Sequence, residues 1–321
     1  MAEGNPSDAA TGGYVHDALL YDDAAQLAGI AGRFLTDGLA ANEAAVVATG
    51  AWTAGVLRDA VGDDPRVHVL DRGDIYRART PAAITSFRRL ADRYLSEGVT
   101  RMRVVGELDF GSTEQDRVEW QRYEAVINHA LAAWPLWGLC LYDTQRLPEP
   151  VLESARRTHP NVVTPNARSL NPDYTDAAAY LRDLSTPREA LEETAPRLAV
   201  RDVVDFIALR HTVAGELASA HGPRDRIEDF LLAVDEMTSN AVRHGRPPVD
   251  LHLWASAEKL VCRITDRGSG IDDPFAGYRP AHGEDLSRGG MGLWLARQLC
   301  DHVEVSRTDQ GASVRLITHL R

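Results

Sequence analysis

The sequence predicts an α/β protein of two domains. Strand-like and helix-like hydrophobic patterns alternate over residues 14–143, which argues for a mainly parallel sheet flanked by helices. After a proline-rich stretch the pattern changes: over residues 197–321 two long helical segments precede strands paired by short turns. At 321 residues the chain is long enough for two cores of ordinary size.

Residues 1–13, rich in Gly, Ser, Asp and Ala, read as a disordered tail. A strand is expected near 14–21. A helix is expected over 24–39, with Leu27, Ile30, Ala31 and Phe34 on one face. Ala44 to Thr49 reads as a buried strand, 53–61 as a helix and 67–70 as a short strand. Thr80-Pro81 opens another helix, the proline standing where a missing N–H costs nothing. A strand over 102–105, a helix over 112–133 with an acidic first turn, and an apolar strand over 136–142 complete the first domain. Residues 148–172 carry five prolines, which forbid a continuous helix. A short helix is expected over 175–183 and a linker over 176–196. Helices are then expected over 198–220 and 225–244, strands over 249–255 and 260–265, a helix from 290 to 301, and strands over 303–307 and 312–320 joined by a tight turn.

Acidic residues outnumber basic ones 47 to 35, a net charge of -12 with a pI near 5.4. A general nucleic-acid or membrane-surface binder needs a cationic face, so neither direct DNA contact nor membrane contact is expected. Apolar runs such as 44–51 are far too short to cross a bilayer. The acidic start Met1-Ala2-Glu3-Gly4 does not read as a secretory leader, and a reducing cytoplasm is the expected compartment. Cys140, Cys262 and Cys300 are widely spaced in apolar contexts; they read as buried, inert thiols, with no metal-ligand spacing or disulfide framework.

Three short motifs carry chemistry. Glu236, Asn240 and His244 stand at i, i+4 and i+8, stacked on one helical face. An asparagine oxygen suits Mg2+ shared with phosphates, and a glutamate one turn earlier can take a proton; a solvated polar stripe is the plainer alternative. Asp266 ends an alternating strand, where its carboxylate can accept from an exocyclic amine, while Gly268 and Gly270 let backbone approach a flat ring. The same pattern also makes an ordinary tight turn. Gly289, Gly290 and Gly292 precede the helix beginning at Leu293, a glycine-rich helix start that offers N–H groups to phosphates or simply needs positive φ. Arg288 could reach a phosphate. Residues 272–288 read equally as a lid or as a surface loop.

The order Glu-x-x-x-Asn, Asp-x-Gly-x-Gly, Gly-Gly-x-Gly-Leu resembles the GHKL (HATPase) superfamily of ATPases. The flanks Glu236-Met-Thr-Ser-Asn240-Ala-Val-Arg-His244-Gly and Gly290-Met-Gly-Leu-Trp-Leu-Ala-Arg-Gln-Leu-Cys-Asp301 resemble its anti-sigma-factor serine/threonine kinase branch. The resemblance covers about 196–321 and implies a Bergerat-type α/β sandwich that binds ATP and Mg2+. It implies Asn240 as Mg2+ ligand, Glu236 as base, Asp266 at the adenine and the 289–292 segment at the phosphates. It also implies a serine or threonine of a STAS-domain anti-anti-sigma protein as substrate and a sigma factor as partner. Two alternatives stand beside it: a non-catalytic, ATP-gated sigma-factor-binding module, and a sensor histidine kinase using His211, which has no acidic neighbour directly beside it and reads as structural.

No P-loop motif occurs in the first domain. His16-Asp-Ala-Leu-Leu-Tyr21, Gly98 to Glu107, Trp120-Gln-Arg-Tyr-Glu124 to Asn128 and Cys140-Leu-Tyr-Asp143 together resemble the MEDS sensory domain over about 14–175. That resemblance implies a degenerate RecA/KaiC-like, three-layer fold and a sensing role for a small-molecule or protein signal. His16, Glu107, Tyr142 and Asp143, near predicted strand ends, are candidate ligand contacts; capping or core hydrogen bonding is the alternative. A homodimer is left open.

Overall fold

The computed structural model describes residues 13–76, 79–279, 291–308 and 311–320. The chain divides into two compact units, the first running to Leu184 and the second from Ser185, apart from a short excursion at 78–81.

In the first unit the order is β1 (Val15–Tyr21), α1 (Ala24–Ala40), β2 (Ala44–Thr49), α2 (Ala51–Ala60), β3 (Val67–Asp71), α3 (Arg72–Tyr76), α4 (Thr80–Ser96), β4 (Met102–Gly106), α5 (Glu114–Ala130), β5 (Leu136–Asp143), α6 (Glu149–Thr158), β6 (Asn161–Val163), β7 (Arg168–Leu170) and α7 (Ala177–Asp183). The strands form one sheet ordered β3-β2-β4-β5-β1-β6-β7. All its pairings are parallel except the edge pair β6–β7. Side chains of parallel strands alternate between faces. Leu19, Val47, Val105 and Leu139 therefore meet Leu27, Ala31, Leu35 and Leu57 of α1 and α2 in one buried cluster. The alternate residues, His16, Gly138, Cys140 and Tyr142 among them, turn to the face that α5 covers.

Helix ends follow local chemistry. Asp23 caps α1 by accepting from the Gln26 N–H at 2.8 Å. Thr113 and Asp116 close a reciprocal capping box at the start of α5. The stretch expected to be irregular contains α6, because Pro148 and Pro150 fall at its cap and first turn, where proline is tolerated.

The second unit contains a 3-10 turn (Ala190–Glu193), β8 (Leu198–Val200), α8 (Phe206–Leu217), α9 (Arg224–His244), β9 (Asp250–Ala255), β10 (Lys259–Asp266), α10 (Gly292–Leu299), β11 (His302–Thr308) and β12 (Gly311–His319). Its sheet, ordered β11-β12-β10-β9-β8, is antiparallel throughout. The expected helix over 198–220 is corrected here: its first residues are a strand, and the helix begins only at Phe206. Leu198 to Val200 pair with β9, and Asp202 turns at φ +51. Asp205 then caps α8 through the Ala208 N–H at 3.0 Å. Helices α8, α9 and α10 bury Val213, Leu217, Phe230, Met237, Leu293 and Ala296 against Leu251, Leu253, Cys262 and Leu316.

The segment expected as a linker is divided. Its first part is α7, in the first unit. Residues 187–194 lie on the outer face of the second sheet. Leu191 packs on Trp254, Val261 and Ile317. The Trp254 indole donates to the Thr194 carbonyl at 3.0 Å. Glu192 pairs with Arg263 and Arg315, and Lys259 pairs with Glu189 at 2.7 Å.

Candidate functional site

In the second unit, helix α9 presents Glu236 and Asn240 one turn apart, both half-buried. The first residue of α10, Gly292, is pressed against this pair. A Cβ on Gly292 would lie 2.6 Å from the Asn240 Nδ2 and 3.1 Å from the Glu236 Oε2. The first turn of α10, with its unpaired N–H groups, thus opens beside the two polar side chains of α9. Asp235, next to Glu236, pairs with Arg210 at 3.0 Å. Burial holds the Asp235 carboxyl above its usual range, with Arg210 opposing and Glu236 adding to the rise.

A second cluster forms where β10 ends. Asp266 Oδ1 accepts from the Gly268 N–H at 2.6 Å and the Arg246 N–H at 3.2 Å. The Arg267 N–H donates to the Arg246 carbonyl at 2.8 Å. Among the described residues, Oδ2 has no hydrogen bond and keeps its lone pairs for another donor. Gly245, which ends α9, and Gly268 are required here. A Cβ on Gly245 would meet Asp266 Oδ1 at 2.5 Å, and one on Gly268 would meet it at 2.6 Å. Gly270 takes φ +74 beside Ala312, a conformation glycine adopts freely.

The remaining expected residues are placed as follows. His244 is exposed at the last position of α9. The Leu293 side chain belongs to the core, so only its backbone faces the helix start. Arg288, Gly289 and Gly290 lie outside the described residues, as does the larger part of the expected lid. The part that is described is anchored: Arg297 of α10 donates to the Ala276 carbonyl at 3.3 Å and stacks over buried Tyr278 at 4.2 Å. Motif spacing alone does not mark Gly245, although a glycine directly after a long helix is a signal for such a position. His211 is exposed on α8. Cys262 and Cys300 are buried, and burial pushes both thiols up, Cys300 to about 12.

In the first unit the candidate contacts fall into two groups. Glu107 accepts from the Gly50 N–H at 2.8 Å, and Asp143 accepts from the Gln145 N–H at 2.9 Å. Both flank Tyr21, whose phenol is pushed up to about 12 by burial and by these two carboxylates. His16 and Tyr142 instead converge on Glu124 of α5. The Tyr142 hydroxyl donates to Glu124 Oε1 at 3.0 Å, and His16 Nε2 lies 3.1 Å from Oε2. Cys140 and His159 complete this buried cluster. The Cys140 thiol therefore sits among polar groups, contrary to the apolar setting expected of it. Burial lowers His16 to about 4 and His159 to about 3, and raises Glu124 and Cys140.

Comparison with known proteins assigns each unit. Residues 15–160 match the MEDS family, the methanogen/methylotroph, DcmR sensory domain. Residues 201–318 match the histidine kinase-like ATPase domain. The serine-protein kinase RsbW of Bacillus velezensis is 30% identical over 123 residues, spanning 35% of this chain and 76% of the relative. RsbW of Bacillus subtilis matches with the same identity and spans. RsbW of Halalkalibacterium halodurans is 30% identical over 146 residues, 41% of this chain and 85% of the relative. A solved structure of the RsbU and RsbW domains of Rv1364c from Mycobacterium tuberculosis is 18% identical and covers 38% of this chain and 32% of that one. Its TM-score of 0.28 is too low to bear on the fold.

Proposed function

The chain belongs to the RsbW-type serine-protein kinase family of histidine kinase-like ATPases, and from that premise we propose that it is an anti-sigma regulatory kinase. It phosphorylates a serine or threonine of a STAS-type anti-anti-sigma protein, holds a sigma factor, and answers to a signal received by its MEDS-type unit, which we read as a degenerate RecA/KaiC-like fold. The observation that carries this reading is the contact of Gly292 with Glu236 and Asn240, which puts a helix start and two polar side chains at one spot.

The residues present suit ATP with Mg2+. Gly292 leaves open the space a Cβ would fill beside Asn240, and Asp266 keeps Oδ2 available. Asn240 would hold the metal through its side-chain oxygen. Asp266 Oδ2 would accept from the adenine amine, a contact that favours adenine over guanine. The N–H groups at Gly292 and Leu293, with Arg288, Gly289 and Gly290, would face the phosphates, and His244 would stand at the rim. Bound ATP with Mg2+ supplies a transferable phosphoryl group and screens its charge. Glu236 takes the proton of the partner's hydroxyl, and the two helices fix its position against Asn240.

Label from γ-32P-ATP should pass to a STAS partner, and Asn240→Ala should abolish the transfer. Glu236→Gln should retain nucleotide binding while slowing transfer by about 10²–10⁴-fold. Transfer to no STAS partner by a protein that binds ATP would refute the kinase reading. Acid-labile label on the chain itself, lost in His211→Ala, would replace it with a histidine kinase.

A further inference from the structure

We propose that the first unit holds a divalent transition-metal ion of the Zn2+ class, bound by His16, Glu124, Cys140 and His159. One ligand atom from each, drawn from β1, α5, β5 and the end of α6, lies within 4.8 Å of all the others. The measured edges are 3.1 Å (His16 Nε2 to Glu124 Oε2), 3.3 Å (His16 Nε2 to Cys140 Sγ), 3.5 Å (His159 Nε2 to Glu124 Oε2) and 3.9 Å (Glu124 Oε2 to Cys140 Sγ). With Zn–N and Zn–O bonds of about 2.0–2.2 Å and a Zn–S bond of about 2.3 Å, a tetrahedron has edges of about 3.3–3.7 Å. The metal-free spacing already brackets those values.

The hydrogen bonds around the cluster determine which atoms face inward. Asn128 Nδ2 is bonded to the carbonyls of Glu124 and Thr158, which only accept, so it must be the amide nitrogen. Its Oδ1 then accepts from His16 Nδ1 at 3.0 Å, and His16 Nε2 carries a lone pair. His159 Nδ1 donates to the Ala155 carbonyl at 2.8 Å, and its Nε2 also carries a lone pair. That atom is fully buried and has no hydrogen-bond partner. Two imidazole lone pairs, a carboxylate oxygen and a sulfur converge on one point inside the protein. Such an assembly repels itself unless a cation or protons lie between its members. Both imidazoles donate their far N–H to an oxygen, the arrangement that orients metal-bound histidines. Two neutral imidazoles, one thiolate and one carboxylate also neutralise a divalent ion, which removes the cost of a net buried charge. The donor set of two nitrogens, one sulfur and one oxygen suits Zn2+ better than Mg2+ or Ca2+, which take oxygen. The Cys140 side of the site borders a cavity of about 30 Å³ between Tyr14, Tyr76 and Tyr123.

The test uses the full chain, stripped with chelator and titrated with Co2+ as a spectroscopic stand-in for Zn2+. One Co2+ per chain should give intense tetrahedral d–d bands and a thiolate-to-cobalt charge-transfer band, and Zn2+ should quench both. Cys140→Ser should remove the charge-transfer band. Asn128→Ala, which frees the His16 ring without touching a ligand, should weaken binding about 10–100-fold and keep the band. A Cys262→Ser, Cys300→Ser double variant should behave as wild type. Absence of tetrahedral bands in protein shown folded by circular dichroism, or a charge-transfer band that survives Cys140→Ser, would overturn the site.

Discussion

Gly292→Ala separates the nucleotide site from the fold that carries it. The new Cβ would lie 2.6 Å from Asn240 Nδ2, whereas ordinary contact begins near 3.4 Å, so the amide must retreat by nearly an ångström. The atom in the way is the end of a flexible side chain, and it moves by rotating away from its preferred χ angles. That distortion costs about 0.5–1.5 kcal/mol. Alanine in place of glycine returns about 0.8–1.0 kcal/mol in a helix interior and less at a first helical residue such as Gly292. The return offsets part of the cost, so stability should stay within about 1.5 kcal/mol of wild type. Nucleotide binding has no such compensation, because the displaced group is the proposed Mg2+ ligand. A displacement of about 1 Å in a positioned group costs on the order of 100-fold, or about 2.8 kcal/mol at about 1.4 per tenfold. Calorimetric titration with a non-hydrolysable ATP analogue and Mg2+, beside a thermal melt of the same sample, reads both quantities. An unchanged affinity in a folded variant would refute the role given to Asn240 and Gly292. A stability lowered by several kcal/mol would instead make Gly292 a packing residue.

Asp266→Asn keeps an Oδ1 for the Gly268 and Arg246 N–H groups but turns a donor toward the adenine amine; ATP affinity should fall at least about tenfold while GTP is discriminated against less, as competition binding would show. Arg315→Ala removes one ion-pair partner from each of Glu304 and Glu192 on the outer face of the second sheet, all three side chains being at most 9% exposed. It should cost the second unit about 3–5 kcal/mol in denaturant unfolding, whereas Arg315→Met paired with Glu304→Leu should cost far less. Burial alone would raise the Asp301 carboxyl, but the Arg226 guanidinium and the His319 N–H outweigh it and hold its pKa below the usual value. Because the folded pKa lies below an unfolded value of about 3.9, this contribution is present above about pH 4 and disappears as pH falls through the folded pKa. The melting advantage of wild type over Asp301→Asn should therefore shrink on acidification; an advantage independent of pH would contradict the pairing.

The motifs most legible in the sequence were those whose chemistry is local. Glu236 and Asn240 lie on one helix, and a period of four residues is enough to align them. Asp266 and Gly268 lie on one turn, where a two-residue spacing sets the hydrogen bond. What spacing did not reveal is that Gly292, far along the chain, packs onto Asn240, and that Gly245 must be bare to let Asp266 approach. The errors of element type have equally local causes. Residues 198–200 carry an apolar pattern compatible with a helix, yet their backbone groups pair with β9, and that ladder decides the conformation. The five prolines over 148–172 do forbid one continuous helix, yet Pro148 and Pro150 fall at the start of a short one, where proline is tolerated.

The metal quartet is a harder case, because nothing about it is local. Its members stand at 16, 124, 140 and 159, on elements brought together only by the strand order β5-β1-β6 and by α5 crossing the sheet. Metal-ligand spacing in a sequence reports sites built on one turn or one helix, and a site assembled across a parallel sheet leaves no such trace. What the sequence does show is a histidine near the start of one buried strand and a cysteine within another, residues that could equally be inert core. Register turns that ambiguity into geometry. Ala18 pairs with Cys140 and His16 with Gly138, so the histidine and the cysteine lie two residues apart along neighbouring strands, and side-chain alternation sends both to the face that α5 covers. Glu124 and Asn128, one turn apart on α5, then supply a ligand and the group that orients the His16 ring. A glutamate and an asparagine at i and i+4 recur in the second unit as Glu236 and Asn240, but there they face the start of α10. In the first unit they face two imidazoles and a sulfur, and by this difference in opposing surface the two proposed sites would take a soft-donor cation in one unit and a hard one in the other.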